Sequence, residues 1–171
     1  TCDSLDPART FDPWCAVVHR IYTRNLMSFA GQPGDKGLVV VPDLAIDEPI
    51  VDSEKMVWRF TLRDNVYWDD GTKVTSGDIK YSIQRLFDDS LQSPIALSTL
   101  CLLSSCTNGK PDYNGPYLSP TEDLTSIATP DDQTVEFKLT RPFAEFSRLL
   151  ATPQFAPVQM ARDVSLRSQG S

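Results

Sequence analysis

Between Trp58 and Phe87 the spacing of apolar residues changes once, from every second position to every third or fourth. That change restricts the chain to folds that mix strands with helices. Trp58, Phe60 and Leu62 alternate with Arg59, Thr61 and Arg63, which predicts a strand with one buried and one wet face. Val66 to Trp68 predicts a second strand, and Asp69-Asp70-Gly71 supplies the positive φ of a tight turn. The helix after it starts at Thr75 or Ser76, with Asp78 placed for a capping box. It buries Ile79, Ile83, Leu86 and Phe87 at i, i+4, i+7 and i+8.

The same reading extends outward in both directions. Pro13 to about Arg24 predicts a helix, with Asp12 as its cap, Trp14, Val17, Val18, Ile21 and Tyr22 at helical spacing, and His19 on the polar face beside Arg20. Leu26 to Ala30 and Leu38 to Val41 flank a Gly- and Pro-rich turn region and read as two extended segments. Their sheet partners are expected elsewhere in a longer chain. The acidic stretch Asp47 to Lys55 marks the crossing into a second unit. From Asp88 to Asp123 the pattern is weak, with a small helix around Ile95 to Leu103, and long loops of that kind are usually functional or cross-linked. Thr134 to Leu139 alternates again and is expected to pair with Leu124 to Ala128 through the turn Pro130-Asp131-Asp132. Phe143, Phe146, Leu149 and Leu150 fall at helical spacing before Pro153 and Pro157 stop the pattern.

Composition narrows the function classes. The 171 residues are 40% apolar and 23% charged, ordinary globular values. A net charge of −7 with no Lys/Arg run argues against nucleic acid and against a polybasic membrane contact. No stretch approaches the length of a membrane span, and none reads as a signal peptide, so an exported protein of this sequence is expected to have lost its targeting segment. There is no phosphate-binding glycine loop and no Gly-x-Ser-x-Gly elbow. With a single histidine, triad catalysis would have to run through His19, which reads as a surface or structural residue. The acidic pairs Asp69-Asp70 and Asp131-Asp132 sit beside turn formers and read as turn chemistry, with no calcium-loop spacing. Cys2, Cys15, Cys101 and Cys106 contain no CxxC pair, which disfavours structural zinc. Two close-spaced pairs suit an exported, oxidised domain, while four buried thiols in a cytoplasmic protein is the alternative.

The order of motifs then becomes specific. Trp58-Arg-Phe-Thr-Leu-Arg63, Val66-Tyr-Trp-Asp-Asp-Gly71-Thr-Lys-Val-Thr75 and Asp78-Ile-Lys-Tyr-Ser-Ile-Gln-Arg85 together resemble the signature of the dipeptide- and oligopeptide-binding proteins of ABC importers, extracellular solute-binding protein family 5. Leu5-Asp6-Pro7-Ala8 looks like that family's first ligand-side loop, Val41-Pro42-Asp43-Leu44-Ala45 like its crossing, and Phe155-Ala156-Pro157-Val158 like its return segment.

The resemblance implies an α+β fold, a small antiparallel sheet with flanking helices, forming the N-terminal part of a two-lobed periplasmic-binding-protein-like architecture. Residues 1–46 would start the first lobe, 47–150 form its α+β subdomain, and 151–171 return toward the lobe. It implies a non-catalytic binder that captures extracellular or periplasmic peptides and hands them to permease subunits, with no cofactor or metal. Any membrane contact would run through a lipid anchor preceding the chain. Ligand contacts carry over to Arg9, Thr10, Phe11, Asp12, Pro13 and Trp14, an edge expected to offer backbone groups to a peptide, and to Ile95 as a pocket-lining residue. Trp14 as helix core and Ile95 as core of the small helix are the alternatives. For an exported chain, Cys101–Cys106 and Cys2–Cys15 are the expected disulfides. Other solutes of the family, such as nickel or oligosaccharides, remain open, as do a secreted hydrolase and a protein-interaction module.

Overall fold

The computed structural model describes residues 2–169. In chain order the helices are α1 (Pro13–Tyr22), α2 (Ser76–Arg85), α3 (Leu97–Leu100), α4 (Phe146–Leu150) and α5 (Met160–Gln169). The strands are β1 (Met27–Phe29), β2 (Val40–Pro42), β3 (Ile50–Val51), β4 (Val57–Thr61), β5 (Cys106–Thr107), β6 (Lys110–Pro111), β7 (Ile127–Asp131) and β8 (Thr134–Lys138). The fold is α+β with antiparallel sheets, as expected.

The central sheet has the order β3-β4-β8-β7. Its register places Trp58 opposite Phe137 and Phe60 opposite Val135, all four buried, so the alternation in both strands feeds one face. Phe137 packs edge-on against Phe60 and Phe146, and Trp58 also meets Phe146, which seats α4 on the sheet. On the wet face Arg59 lies opposite Glu136 and pairs with it at 2.6 Å. The hairpin into β8 turns at Asp132-Gln133. Pro130, expected in the turn, lies within β7, which it can do because β7 is an edge strand. Asp131 makes the turn chemistry instead, accepting from the amides of Gln133 and Thr134.

The capping box of α2 forms: the Thr75 hydroxyl accepts from the Asp78 amide, and the Asp78 carboxylate accepts from the Thr75 amide. The segment Val66 to Trp68 forms a narrow hairpin around Gly71 (φ +84), held by an isolated bridge of Tyr67 with Lys73 rather than by a strand.

Two further expectations are corrected. β1 and β2 pair with each other, Met27 opposite Pro42, so each has one sheet partner within this chain. In α1 the inward positions are Cys15 and His19, while Trp14, Val17 and Ile21 face outward. The disulfide Cys2–Cys15 ties one side of the helix to the N-terminal segment. On that side His19 is fully buried, not on a wet face. Its Nε2–H donates to the Ser4 carbonyl (3.1 Å), and Nδ1 lies 2.6 Å from the Tyr22 hydroxyl, which donates to the Leu5 carbonyl (2.7 Å). A satisfied imidazole can occupy an interior position that the apolar pattern assigns to aliphatic residues.

Candidate ligand-facing edge

The edge starts from a 3-10 turn, Pro7–Arg9, capped by the Asp6 carboxylate, which accepts from the Ala8 amide at 3.0 Å. The chain continues with Thr10 and Asp12 in extended conformations, and Asp12 caps α1 by accepting from the Trp14 amide. Asp3 organises this stretch from outside it. One carboxylate oxygen accepts from the Thr10 hydroxyl (2.7 Å), the other from the amides of Phe11 (3.0 Å) and Asp12 (3.3 Å). These bonds, led by that from the Phe11 amide, hold the Asp3 carboxyl down at about 2. Gln154 donates to the Thr10 carbonyl at 2.8 Å, which links the edge to the segment after α4.

Every amide from Arg9 to Trp14 therefore has an internal partner, since those of Arg9 and Thr10 go to the Asp6 and Pro7 carbonyls and Pro13 has none. What the edge presents outward is side chain. Phe11 is 74% and Trp14 68% exposed, and Arg9 is exposed, whereas Thr10 is buried. Trp14 is thus no core residue of α1.

The edge is also tied to α2. Arg85, 3% exposed, sends Nη2 to Asp6 at 2.6 Å and Nε to the Tyr117 hydroxyl. The Tyr117 and Tyr81 hydroxyls each donate to Asp163 at 2.7 Å. Burial disfavours the guanidinium charge, but the bonds to Asp6 and Tyr117 outweigh it and raise the Arg85 pKa. Burial, followed by the bond to Asp163, raises that of Tyr81, so both phenols stay neutral donors. Sequence reading missed Asp3 and Arg85. An arginine at the end of an apolar helix face was the available signal for the second.

Ile95 is half-buried and lines a separate cleft of about 170 Å³ beside Phe87, Asp88 and Tyr113. A wider cleft, about 600 Å³, is lined by Leu5 to Pro7, Tyr22, Trp68 and Asp163 among others, and by none of residues 9–14. Both expected disulfides are formed, Cys2–Cys15 and Cys101–Cys106. Cys2, Cys15 and Asp3 lie together, but sulfurs bonded to each other are not thiolate ligands for a metal.

Residues 39–169 match the family model described as bacterial extracellular solute-binding proteins, family 5. The chain belongs to this family. Among the relatives of the family 5 chain, the periplasmic murein peptide-binding protein MppA of Escherichia coli is 35% identical over 159 residues, 92% of this chain and 27% of the relative. The periplasmic oligopeptide-binding protein OppA of Salmonella typhimurium is 34% identical over 121 residues, 68% of this chain and 21% of the relative. Among solved structures, clavulanic acid biosynthesis oligopeptide binding protein 2 superimposes with a TM-score of 0.85 at 39% identity, covering 95% of this chain and 29% of that one. The unliganded open form of MppA gives 0.71 at 30%, covering 96% and 30%. The family 5 chain thus spans under a third of the length of these relatives.

Proposed function

We propose that this family 5 chain is part of the solute-capturing component of an ABC importer, that its solute is a peptide, and that it works outside the cytoplasmic membrane without catalysing a reaction. The observation that carries the reading is the match along 92% of the chain to a relative named for binding murein peptides. Names of further relatives point to oligopeptides and D,D-dipeptides. Permease subunits are the proposed recipients of the peptide, and a lipid anchor ahead of Thr1 the proposed membrane attachment.

Within this role, residues Arg9, Thr10, Phe11, Asp12, Pro13 and Trp14 run beside the bound peptide, and Ile95 lines a side-chain pocket. The exposed rings of Phe11 and Trp14, on a backbone fixed by Asp3 and Cys15, support this assignment. With the amides occupied, recognition here passes through aromatic faces and the Arg9 guanidinium rather than through added-strand pairing. We also propose the division into 1–46, 47–150 and 151–171. The bonds of Asn25 to the Thr152 carbonyl and of Gln154 to Thr10 support grouping the two flanks. Thr1 and residues 170 and 171 of those ranges lie outside the described residues.

The test is an amide chemical-shift titration of the whole chain with a mixed tripeptide pool. Shifts centred on residues 9–14 and 95, with peptides recovered intact, are expected. Cleaved peptides, or shifts confined to other surfaces, would sink the reading.

A further inference from the structure

One face of α2 is polar and buried. Asp78, Tyr81, Ser82 and Arg85 recur at i, i+3, i+4 and i+7, and none is more than 8% exposed. The first three bond to the return segment or to α5. Asp78 serves two helices: Oδ2 closes the capping box of α2, and Oδ1 accepts from the Met160 amide that opens α5 (2.9 Å). The Ser82 hydroxyl accepts from the Val158 amide (2.7 Å), and the Tyr81 hydroxyl donates to Asp163 (2.7 Å). Arg85 meets Asp163 through the Tyr117 hydroxyl; its own approach, Nε at 3.5 Å, is too long for a strong hydrogen bond.

Among the described side chains of α5, residues 160–166, only Asp163 is not exposed, whereas Met160, Val164 and Leu166 are 46%, 49% and 63% exposed. The exposed pair Arg162–Asp69 contributes little. A ten-residue helix whose described apolar residues face water is marginal on its own, so α5 has a docked and a frayed state, and Asp163 biases the balance. At the other end of the same row of groups stands Asp6. Its Oδ1 caps the turn Pro7–Arg9 through the Ala8 amide, and its Oδ2 accepts from Arg85 Nη2 at 2.6 Å.

We infer that Asp6, Arg85, Tyr117 and Asp163 form a latch, in which docking of α5 and closure of the turn that starts the edge favour one another. Tyr117 is the joint. Its oxygen accepts from Arg85 Nε while its hydroxyl donates to Asp163 at 2.7 Å, and a hydroxyl engaged in both ways is polarised so that each bond strengthens the other. When α5 leaves, the phenol becomes a poorer acceptor and Arg85 is held less firmly against Asp6. When the Asp6 contact opens, Arg85 is freed and the hold on Asp163 weakens. The two effects are equal in size, because an equilibrium coupling is reciprocal. The latch belongs to the fold and holds whether or not the edge meets a peptide.

The test is amide hydrogen exchange of the whole chain, read at Ala8 for the edge, at residues 164–166 for α5 and in β4 for the molecule as a whole. Tyr81→Phe loosens the α5 end without touching Asp6 or Arg85. It should quicken exchange at 164–166 by about tenfold, the scale of a bond to a charged group, and exchange at Ala8 several-fold. Asp6→Asn keeps an oxygen for the Ala8 amide and weakens the hold on Arg85, so exchange at 164–166 should quicken several-fold. Tyr117→Phe keeps the ring and removes the joint. In that background the effect of each variant on the far end should vanish, while its effect on the near end stays. Absence of any far-end effect, or far-end effects that survive Tyr117→Phe, would overturn the inference. So would a quickening of equal size in β4, which marks general destabilisation. Should Asp6→Asn lose its fold by circular dichroism, Tyr81→Phe with and without Tyr117→Phe decides.

Discussion

Arg85 is a cation whose partners, Asp6 and Tyr117, come from segments 79 and 32 residues away in sequence. Removing one member of a buried pair costs about 3 to 5 kcal/mol, and the Asp6 side chain is still 26% exposed, which favours the lower end. Arg85→Met is therefore expected to lower unfolding stability by about 3 kcal/mol in urea; a loss under about 1 kcal/mol would show that water serves Asp6 equally well. Asp3 gives a pH-dependent counterpart. Its folded pKa is depressed from 3.8 to about 2, so its contribution is complete above the unfolded value and is lost as pH falls through the folded one. Thermal unfolding followed at pH 5 and at pH 2 should show a smaller drop for Asp3→Asn than for the parent. Equal drops would mean that the amides of Phe11 and Asp12 do not depend on the charge.

The disulfides act at the scale of elements. Cys2–Cys15 spans 13 residues and fixes α1 against the N-terminal segment, while Cys101–Cys106 spans five and joins the end of α3 to β5. Chain-entropy arguments give about 3 and about 2 kcal/mol respectively. Replacing each pair by serine and measuring urea midpoints should reproduce that order, and a larger loss from the 101–106 pair would contradict it. The same elements show what the residues disclosed in advance. β4, β8 and the capping box of α2 were legible because alternation and caps are local, decided within a few residues by Trp58, Phe60, Thr75 and Asp78. The inward face of α1 was not, because it depends on Cys2 and Ser4 reaching Cys15 and His19 across a turn. Pro130 misled because its tolerance depends on β7 being an edge, which no local pattern states. Arg9 to Trp14 were singled out by motif order alone; that the amides of Phe11 and Asp12 are taken follows from Asp3, eight or nine residues upstream.

Over the whole molecule, the edge 9–14 is one open surface, and tight small-ligand sites bury about 70 to 90% of the ligand. Two or three contacts there barely offset the roughly 4 kcal/mol or more of freedom lost on association. This chain alone is therefore expected to bind a tripeptide with a constant of about 1 mM or weaker by calorimetry; a micromolar value would show a more enclosed site than the edge provides. The outward stripe of α1 sets a different kind of boundary. Trp14, Val17 and Ile21 contribute little to the folded state, because the helix is held by its opposite side. Lesions there leave the cell with normal amounts of intact protein, unlike lesions at Phe60 or Phe137. Under the proposed import role, a genetic screen would reveal such lesions only as a growth defect on the imported solute, a readout of task and not of stability.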